Sequence, residues 1–259
     1  MASTAGYADN SQFSIEKAEY RKHLTTAATL RQLQAWGVPV SGQRVVDLGC
    51  GSGGGVLALA AAGAHAHGID LDANAIVVAR QQARERGLPV TFDIGDVTDP
   101  PPPSFQGHAD LVLLQEVIEH VKNIEQVLRT ARAWLKPHGR CMVTFPPYYS
   151  PAGGHHHHAR QPYRYIPWLH LILPQQVLLR CLPQDARYRE EVRTLNRITI
   201  SQFEAAVAAT GWCIRDRVAY LIRPSISVKL SLPTISGGRL LRIPWLREWM
   251  LTGVEYLLG

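Results

Sequence analysis

Apolar positions along the chain change their spacing repeatedly, and each change marks an element. From Phe13 to Trp36 they recur at helical intervals, and the run closes at Gly37 with Pro39 just beyond. RVVDLGCGSGGG (44–55) is a short apolar strand that runs into a glycine turn, and VLALAAAGA continues it as a helix. AHAHGIDLD is a second strand with acidic residues at its end, followed by the amphipathic helix NAIVVARQQARERG, which Gly87 closes. PVTFDIGDV reads as a third strand, DPPPPSFQGHAD as a stiff proline-rich loop and DLVLLQE as a fourth, strongly apolar strand. EHVKNIEQVLRTARAWLKPHG has helical periodicity up to Pro137 and Gly139, and RCMVTFPP is a fifth strand.

The alternation breaks at Pro146. Residues 148–198 are rich in Pro, Tyr, Arg and His, with only short apolar runs, as expected of an insertion over one sheet edge. TISQFEAAVAATG then reads as a helix and WCIRDRVAYLIRP as a strand. Residues 224–243 are irregular, PWLREWML is helical and TGVEYLLG closes as a seventh strand. Strands alternating with helices, several of them continuously apolar, predict a doubly wound α/β domain with a mostly parallel seven-stranded sheet. The expected organisation is one domain over 1–259. It comprises an N-terminal helical segment (1–40), a ligand-binding half (41–147), an inserted cap (148–198) and C-terminal helices and closing strands (199–259).

Composition adds exclusions. With 46% apolar and 19% charged residues over 259 positions, the chain is neither disordered nor short of a core. No run approaches the ~18 apolar residues of a membrane-spanning helix, and the N-terminus lacks the layout of a secretory signal. Cys50, Cys141, Cys181 and Cys213 are widely spaced, which suits buried thiols in a reducing, cytoplasmic setting rather than a disulfide framework. The net charge of +6 lies almost wholly in the second half, where 13 of 14 cations are arginine. Arginine forks onto phosphates and carboxylates, so this half suits an acidic partner as well as a solvated surface.

The glycine turn carries the first chemistry. Gly49, Gly51 and Gly54 have the G-x-G-x-x-G spacing that also marks nicotinamide dinucleotide sites. Glycines let the backbone turn sharply against a ligand, and the helix N-terminus offers unpaired N–H groups. Asp47 lies two residues earlier, where a carboxylate repels a pyrophosphate and suits a cationic ammonium or sulfonium ligand. A nicotinamide oxidoreductase is disfavoured on that ground.

With these motifs, residues 40–147 resemble the class I S-adenosylmethionine-dependent methyltransferases, a family with a Rossmann-like fold. The resemblance implies that Asp47 and the backbone around Gly49, Cys50 and Gly51 hold the methionine part of the cofactor. It implies that Asp70 in GIDLD accepts the ribose hydroxyls, with Leu71 beside it. Asp96 in DIGDV is expected at the adenine amino group, Val97 against the ring, and Gln115 at the fourth strand's end completes the set.

The fourth strand runs into Glu116-Val117-Ile118-Glu119-His120. If a helix begins there, Glu116, Glu119 and His120 project from one face of its first turn. Two carboxylates and an imidazole so close call for a cation between them, and a divalent metal is one answer. GGHHHH (153–158) adds borderline-soft ligands on what reads as a flexible loop, shortly after the fifth strand. The E-x-x-E-H run with a later histidine resembles metal-dependent O-methyltransferases. These include the enzymes that cap small-RNA 3′ ends on the 2′-hydroxyl and the ubiquinone-biosynthesis O-methyltransferases. The expected ligands are Glu116, Glu119, His120 and His155 or His157, for Mn, Fe, Co, Ni, Zn or Mg. Metal-free, the Glu-His pair caps a helix, and His120 or a histidine of the loop is the expected catalytic base. His65, His67, His108, His138 and His170 read as structural or surface residues.

Together these readings predict transfer of a methyl group to an oxygen of a small-molecule or lipid-like acceptor, held by an aromatic pocket of Tyr148, Tyr149, Tyr163, Tyr165 and Trp168. Two rivals stay open: a metal-dependent RNA 2′-O-methyltransferase, and a non-catalytic module that binds the cofactor. RLLRIPWLREWMLTG mixes apolar residues with arginine as interfacial helices do, so either peripheral membrane contact or cover for the sheet edge fits it.

Overall fold

The computed structural model describes residues 26–155, 159–183 and 186–259. The helix ending before Gly37 occupies residues 26–35 (α1), and its expected start at Phe13 lies outside the described residues. There follow β1 (Arg44–Leu48), α2 (Gly54–Ala61), β2 (His65–Asp70), α3 (Ala73–Glu85) and β3 (Thr91–Ile94). Then come β4 (Ala109–Gln115), α4 (Ile124–Trp134) and β5 (Leu135–Phe145). The insertion holds α5 (Leu169–Ile172), α6 (Gln175–Cys181) and α7 (Ala186–Thr194). The chain continues through α8 (Ile200–Ala209), β6 (Ile214–Ile222), α9 (Pro224–Leu230), β7 (Ile235–Ser236), α10 (Pro244–Met250) and β8 (Gly253–Leu258).

The described strands form one sheet in the order β3-β2-β1-β4-β5-β8-β6-β7. β1 to β5 pair in parallel, whereas β8 lies antiparallel between β5 and β6. Both faces are covered, which is why β1 and β4 read as continuous apolar runs. Val46, Leu48, Val112 and Leu114 pack on one face against α4 and α8, while Val45, Leu111 and Leu113 pack on the other against α1, α2 and α3. The order of strands reverses between β1 and β4, opening a crevice at their carboxyl ends where ligands of such sheets bind.

Three readings of the pattern need correction. The sheet has eight strands because two residues of the stretch read as irregular, Ile235 and Ser236, add β7 beside β6, and the same stretch forms α9 on Pro224. The helix expected over 119–139 is only α4: Asn123 caps it by accepting from the Gln126 N–H at 3.0 Å. It ends at Trp134 because Lys136 precedes Pro137 and is steered out of helical geometry, and Leu135 instead pairs with Ala109. Of the thiols, Cys50 and Cys141 are buried, but Cys181 is partly exposed and Cys213 exposed; all four are free.

The insertion packs a small cluster of its own, Ala159, Leu169, Leu178, Leu182 and Val192, separate from the two sheet-face cores. Its limbs meet where the Tyr148 N–H donates to the Ile198 carbonyl at 2.9 Å.

Candidate active site

The turn after β1 is fastened to the end of β2. Gly49 N–H and Cys50 N–H donate to the Ile69 carbonyl at 2.7 and 2.9 Å, and Gly51 N–H donates to Asp70 Oδ2 at 2.6 Å. Gly49 needs a left-handed backbone (φ 84°), and an added Cβ would lie 2.4 Å from Val117 Cγ2. The third glycine that the turn requires is Gly53 rather than Gly54: it caps α2 with φ 81°, and its Cα faces Ala79 and Phe92 too closely for a side chain. Asp47 is buried at 4% exposure, and its Oδ2 would sit 3.0 Å from a Cβ on Gly55.

The two acids at the end of β2 divide their work. Asp70 holds the glycine turn through Oδ2 and the Asp72 N–H through Oδ1 at 2.9 Å, whereas Asp72 caps α3 by accepting from Asn74 N–H. Leu71 between them is an apolar side chain left 68% exposed. Asp96 Oδ1 accepts from Thr98 N–H and Oγ1 at 2.8 and 2.7 Å, and Val97 packs on the core beside it. Gln115 Oε1 accepts from Thr29 Oγ1 at 2.8 Å, tying α1 over the end of β4. Nothing in the sequence pattern marks Thr29. Since β3, β2, β1 and β4 are neighbours in that order, Asp96, Asp70, the Asp47–Gly51 turn and Gln115 fall in one row along the carboxyl edge.

The carboxylate–histidine cluster differs from expectation. Glu116 continues from β4 with a left-handed φ of 58°, which turns it away from the residues that follow. Ile118–His120 forms a single 3-10 turn, so the three side chains share no α-helical face. Glu116 is instead gripped by Arg223, whose Nη1 donates to both carboxylate oxygens at 2.7 and 2.6 Å. The cation that paired carboxylates call for is thus, at Glu116, a guanidinium from 107 residues away. Glu119, His120 and His155 do converge, with one ligand atom from each within 4.8 Å of the others. Glu119 is 1% and His155 6% exposed, and Glu119 Oε1 lies 3.8 Å from His155 Nε2. His157 lies outside the described residues.

The Gly153–Gly154 pair is not loose. A Cβ on Gly153 would come within 2.2 Å of the Pro147 and Tyr148 carbonyls, and one on Gly154 within 2.1 Å of the His170 ring. The glycines are there for close packing, and His155, next in the chain, is buried. From the far limb of the cap, Asn196 N–H donates to the Glu119 carbonyl at 2.6 Å and its side chain to the Val121 carbonyl at 2.8 Å. Burial lowers the pKa of His120, opposed by the nearby Glu116 charge, so the ring is held neutral near pH 7.

Behind Glu116, Glu255 of β8 pairs in register with Thr144 of β5. Burial pushes its carboxyl up to about 7; the Tyr220 hydroxyl bond opposes this, the Glu116 charge adds to it and Arg223 opposes it. Arg223, Glu255 and Tyr220 carry no sequence signal, because only the insertion of β8 beside β5 brings them together.

Of the five aromatics expected in the pocket, Tyr148 and Tyr149 line a cavity of about 560 Å³ in the cap; its other walls are apolar at Leu171–Leu173, Leu178, Val192 and Leu195 and polar at Gln175 and Arg197. Tyr163 and Tyr165 face solvent at 41% and 54% exposure, and Trp168 Nε1–H donates to the Trp249 carbonyl at 3.3 Å. His170, expected to be structural, bonds the Tyr148 carbonyl at 2.7 Å and also lines this cavity. His67 is buried and stacks on Phe105 at 5.1 Å.

A family model described as a methyltransferase domain matches residues 39–173. Among curated proteins, the chain is 38% identical to a ubiquinone biosynthesis O-methyltransferase of Xylella fastidiosa over 110 residues, 41% of this chain and 43% of that one. It is 34% identical to the same enzyme of Actinobacillus pleuropneumoniae over 120 residues, 45% of this chain and 51% of that one. The matches span about half the length of these relatives. Among solved structures, a geranyl diphosphate methyltransferase bound to GPP and sinefungin superposes with TM-score 0.61 at 19% identity, covering 90% of this chain and 77% of that one. An S-adenosylmethionine-dependent methyltransferase from Mesorhizobium loti superposes with TM-score 0.57 at 21% identity, covering 91% and 99%.

Proposed function

Because the chain belongs to the methyltransferase domain family, we propose that it transfers the methyl group of S-adenosylmethionine to an oxygen of a small apolar acceptor seated in the cap cavity. The observation that carries this reading is the row of Asp96, Asp70, Asp47 and Gln115 along four neighbouring strand ends. That order supports adenine at Asp96, ribose at Asp70 and the methionine part at Asp47, with Gln115 beside it. The exposed Leu71 and the partly buried Val97 supply apolar flanks for a flat ring. The name of the curated relatives supports oxygen as the acceptor atom, and quinol-like hydroxylated aromatics are the first compounds to try.

In such a transfer an acceptor oxygen forms a bond to the methyl carbon as the carbon–sulfur bond breaks, and the hydroxyl proton must leave. The protein's main task is alignment and exclusion of water. The limbs of the cap, latched by Asn196 onto the Glu119–Val121 turn, support the second part. His120, neutral and at the crevice, is the candidate base.

Glu119, His120 and His155 also fit a divalent metal. One carboxylate and two imidazoles converge within 4.8 Å in a largely buried position, a donor set suited to Mn, Fe, Co, Ni or Zn and less to Mg. Such an ion lowers the pKa of a bound hydroxyl. Glu116, engaged by Arg223, stands outside the set proposed here.

Two titrations and one variant test this. Calorimetry should give a clear heat with S-adenosylmethionine and none with NAD. Metal analysis of purified protein, followed by labelled methyl transfer to hydroxylated aromatics with and without chelator, reads the cluster. Glu119→Gln should reproduce the chelator's effect on transfer while leaving cofactor affinity unchanged. Full transfer in excess chelator would remove the metal and leave His120 as base, and absence of cofactor binding would overturn the reading altogether.

A further inference from the structure

The surface beside the cap cavity combines exposed aromatic and aliphatic side chains with arginine. On α10, Trp245 is 71% and Trp249 48% exposed, and Ile243 before it is 39% exposed. Across from α10, the turn at Tyr163–Tyr165 leaves Tyr165 and Ile166 at 54% and 39%. The two are joined: Trp168 N–H of the indole bonds the Trp249 carbonyl, and the Trp249 ring lies 5.7 Å from that of Tyr149. Tyr149 in turn lines the 560 Å³ cavity, as does Ile172, which is 66% exposed. The cavity mouth and the apolar surface are therefore continuous.

Cations predominate on this surface, and the one acid of α10, Glu248, is turned onto the Ile200 and Ser201 N–H groups. Residues 159–183 contain three arginines and no acidic residue, and residues 218–247 contain five cations and none. Two of these are engaged inward, Arg223 on Glu116 and Arg247 on Glu204. Arg160, Arg239 and Arg242 remain exposed. Tryptophan and tyrosine settle at the headgroup level of a bilayer, isoleucine reaches the acyl boundary, and arginine meets anionic headgroups. A second copy of the same face would set cation against cation. No described helix is long and apolar enough to cross a membrane, so the contact is confined to the interface.

We propose that α10, the Tyr163–Tyr165 turn and the mouth of the cap cavity form a docking face for an anionic lipid bilayer. An apolar acceptor dissolved in the bilayer would then enter the cavity from the membrane side; this second clause rests on the proposed function, and the docking does not.

The test is co-sedimentation of the whole protein, without cofactor or acceptor, with phosphatidylcholine vesicles carrying or lacking phosphatidylglycerol. Binding to the anionic vesicles is expected to be about tenfold tighter or more, with a blue shift of tryptophan emission, and to weaken as salt rises. Trp245→Ser with Ile243→Ser should abolish the binding, and Arg239→Glu with Arg242→Glu should abolish the preference for anionic lipid. Unchanged S-adenosylmethionine affinity in both double variants verifies that they fold. If the wild type stays in the supernatant with both vesicles, or if the double variants bind as it does, the proposal is overturned. So it is if sedimentation velocity finds a dimer that Trp245→Ser with Ile243→Ser dissolves, because the face then belongs to a second copy. Vesicle binding by a protein that fails to bind cofactor leaves the docking face standing and removes the methyl-transfer reading instead.

Discussion

The proposed cofactor row and the proposed acceptor side are built on different principles, although they adjoin at Glu116. The row is set by backbone. Parallel strands end side by side, glycines with positive φ turn the chain, and the Asp70 and Asp96 carboxylates accept from neighbouring main-chain N–H groups. The acceptor side is set by side chains from separate stretches: a 3-10 turn, a packed glycine pair, the cap's return limb and two late strands. Damage to the first should therefore act locally and be legible in binding. Damage to the second should spread, because each piece holds another.

The largest effect is expected at Gly49. Gly49→Ala forces a left-handed backbone on alanine, about 1–2 kcal/mol, and drives a Cβ into Val117, about 1–3 kcal/mol more. Cofactor affinity by calorimetry should fall well beyond tenfold together with melting temperature; an unchanged affinity would mean the turn does not shape the pocket. Next comes Gly154→Ala, which meets the His170 ring at 2.1 Å. Its expected signature is the reverse, loss of methyl transfer with cofactor affinity nearly intact, since the atoms it displaces belong to the cap and its cavity, not to the glycine turn or the strand ends. Should both glycine variants lose cofactor binding alike, the two regions are one cooperative unit and the contrast fails.

Asp70→Ala should weaken S-adenosylmethionine binding at least tenfold, because each charge-assisted bond lost is worth about 1.5–3 kcal/mol. It also frees the Gly51 and Asp72 N–H groups, so a stability loss should accompany it. Asp70→Asn, which keeps an acceptor, should recover part of the stability and little of the affinity.

The smallest effect is a pH dependence on the acceptor side. Glu255 ionises near 4.5 when unfolded and about 7 when folded. The folded protein thus keeps a proton the unfolded chain has released, and stability falls as pH rises from about 4.5 to 7. The total is on the order of 3 kcal/mol, spread over the window at no more than about 1.4 kcal/mol per pH unit. Glu255→Gln should flatten that slope in urea midpoints taken across the window, and it should gain on the wild type most at alkaline pH. A slope that survives the substitution assigns the titration to another group.

Sequence alone went far on the first region because its signals are local. Asp47, Gly49 and Gly51 are separated by two residues each, and the strands around them read as apolar runs since both faces are covered. It went less far where a neighbour decides conformation. The LKPHG segment looked helical until Lys136 met Pro137, and the pair at Gly153 and Gly154 looked flexible when packing is what it serves. Glu116 and Glu119 looked like partners, yet Arg223 takes the first and His155 approaches the second. No spacing rule anticipates Arg223, Tyr220 or Glu255, whose meeting depends on which strand lies beside which.

That neighbour relation has a consequence in time. β8 is made after β6 but stands between β6 and β5, so a growing chain completes five parallel strands and must then wait. Until residues 253–258 leave the ribosome, the outer edge of β5, with Cys141, Met142, Val143 and Phe145, has no partner strand and offers a ready template for misassociation. β8, which follows β6 and β7 in the chain, is the strand that joins the earlier sheet to that pair. A ribosome that stalls ahead of it would hold a nascent chain with a finished cofactor edge and an open, adhesive flank.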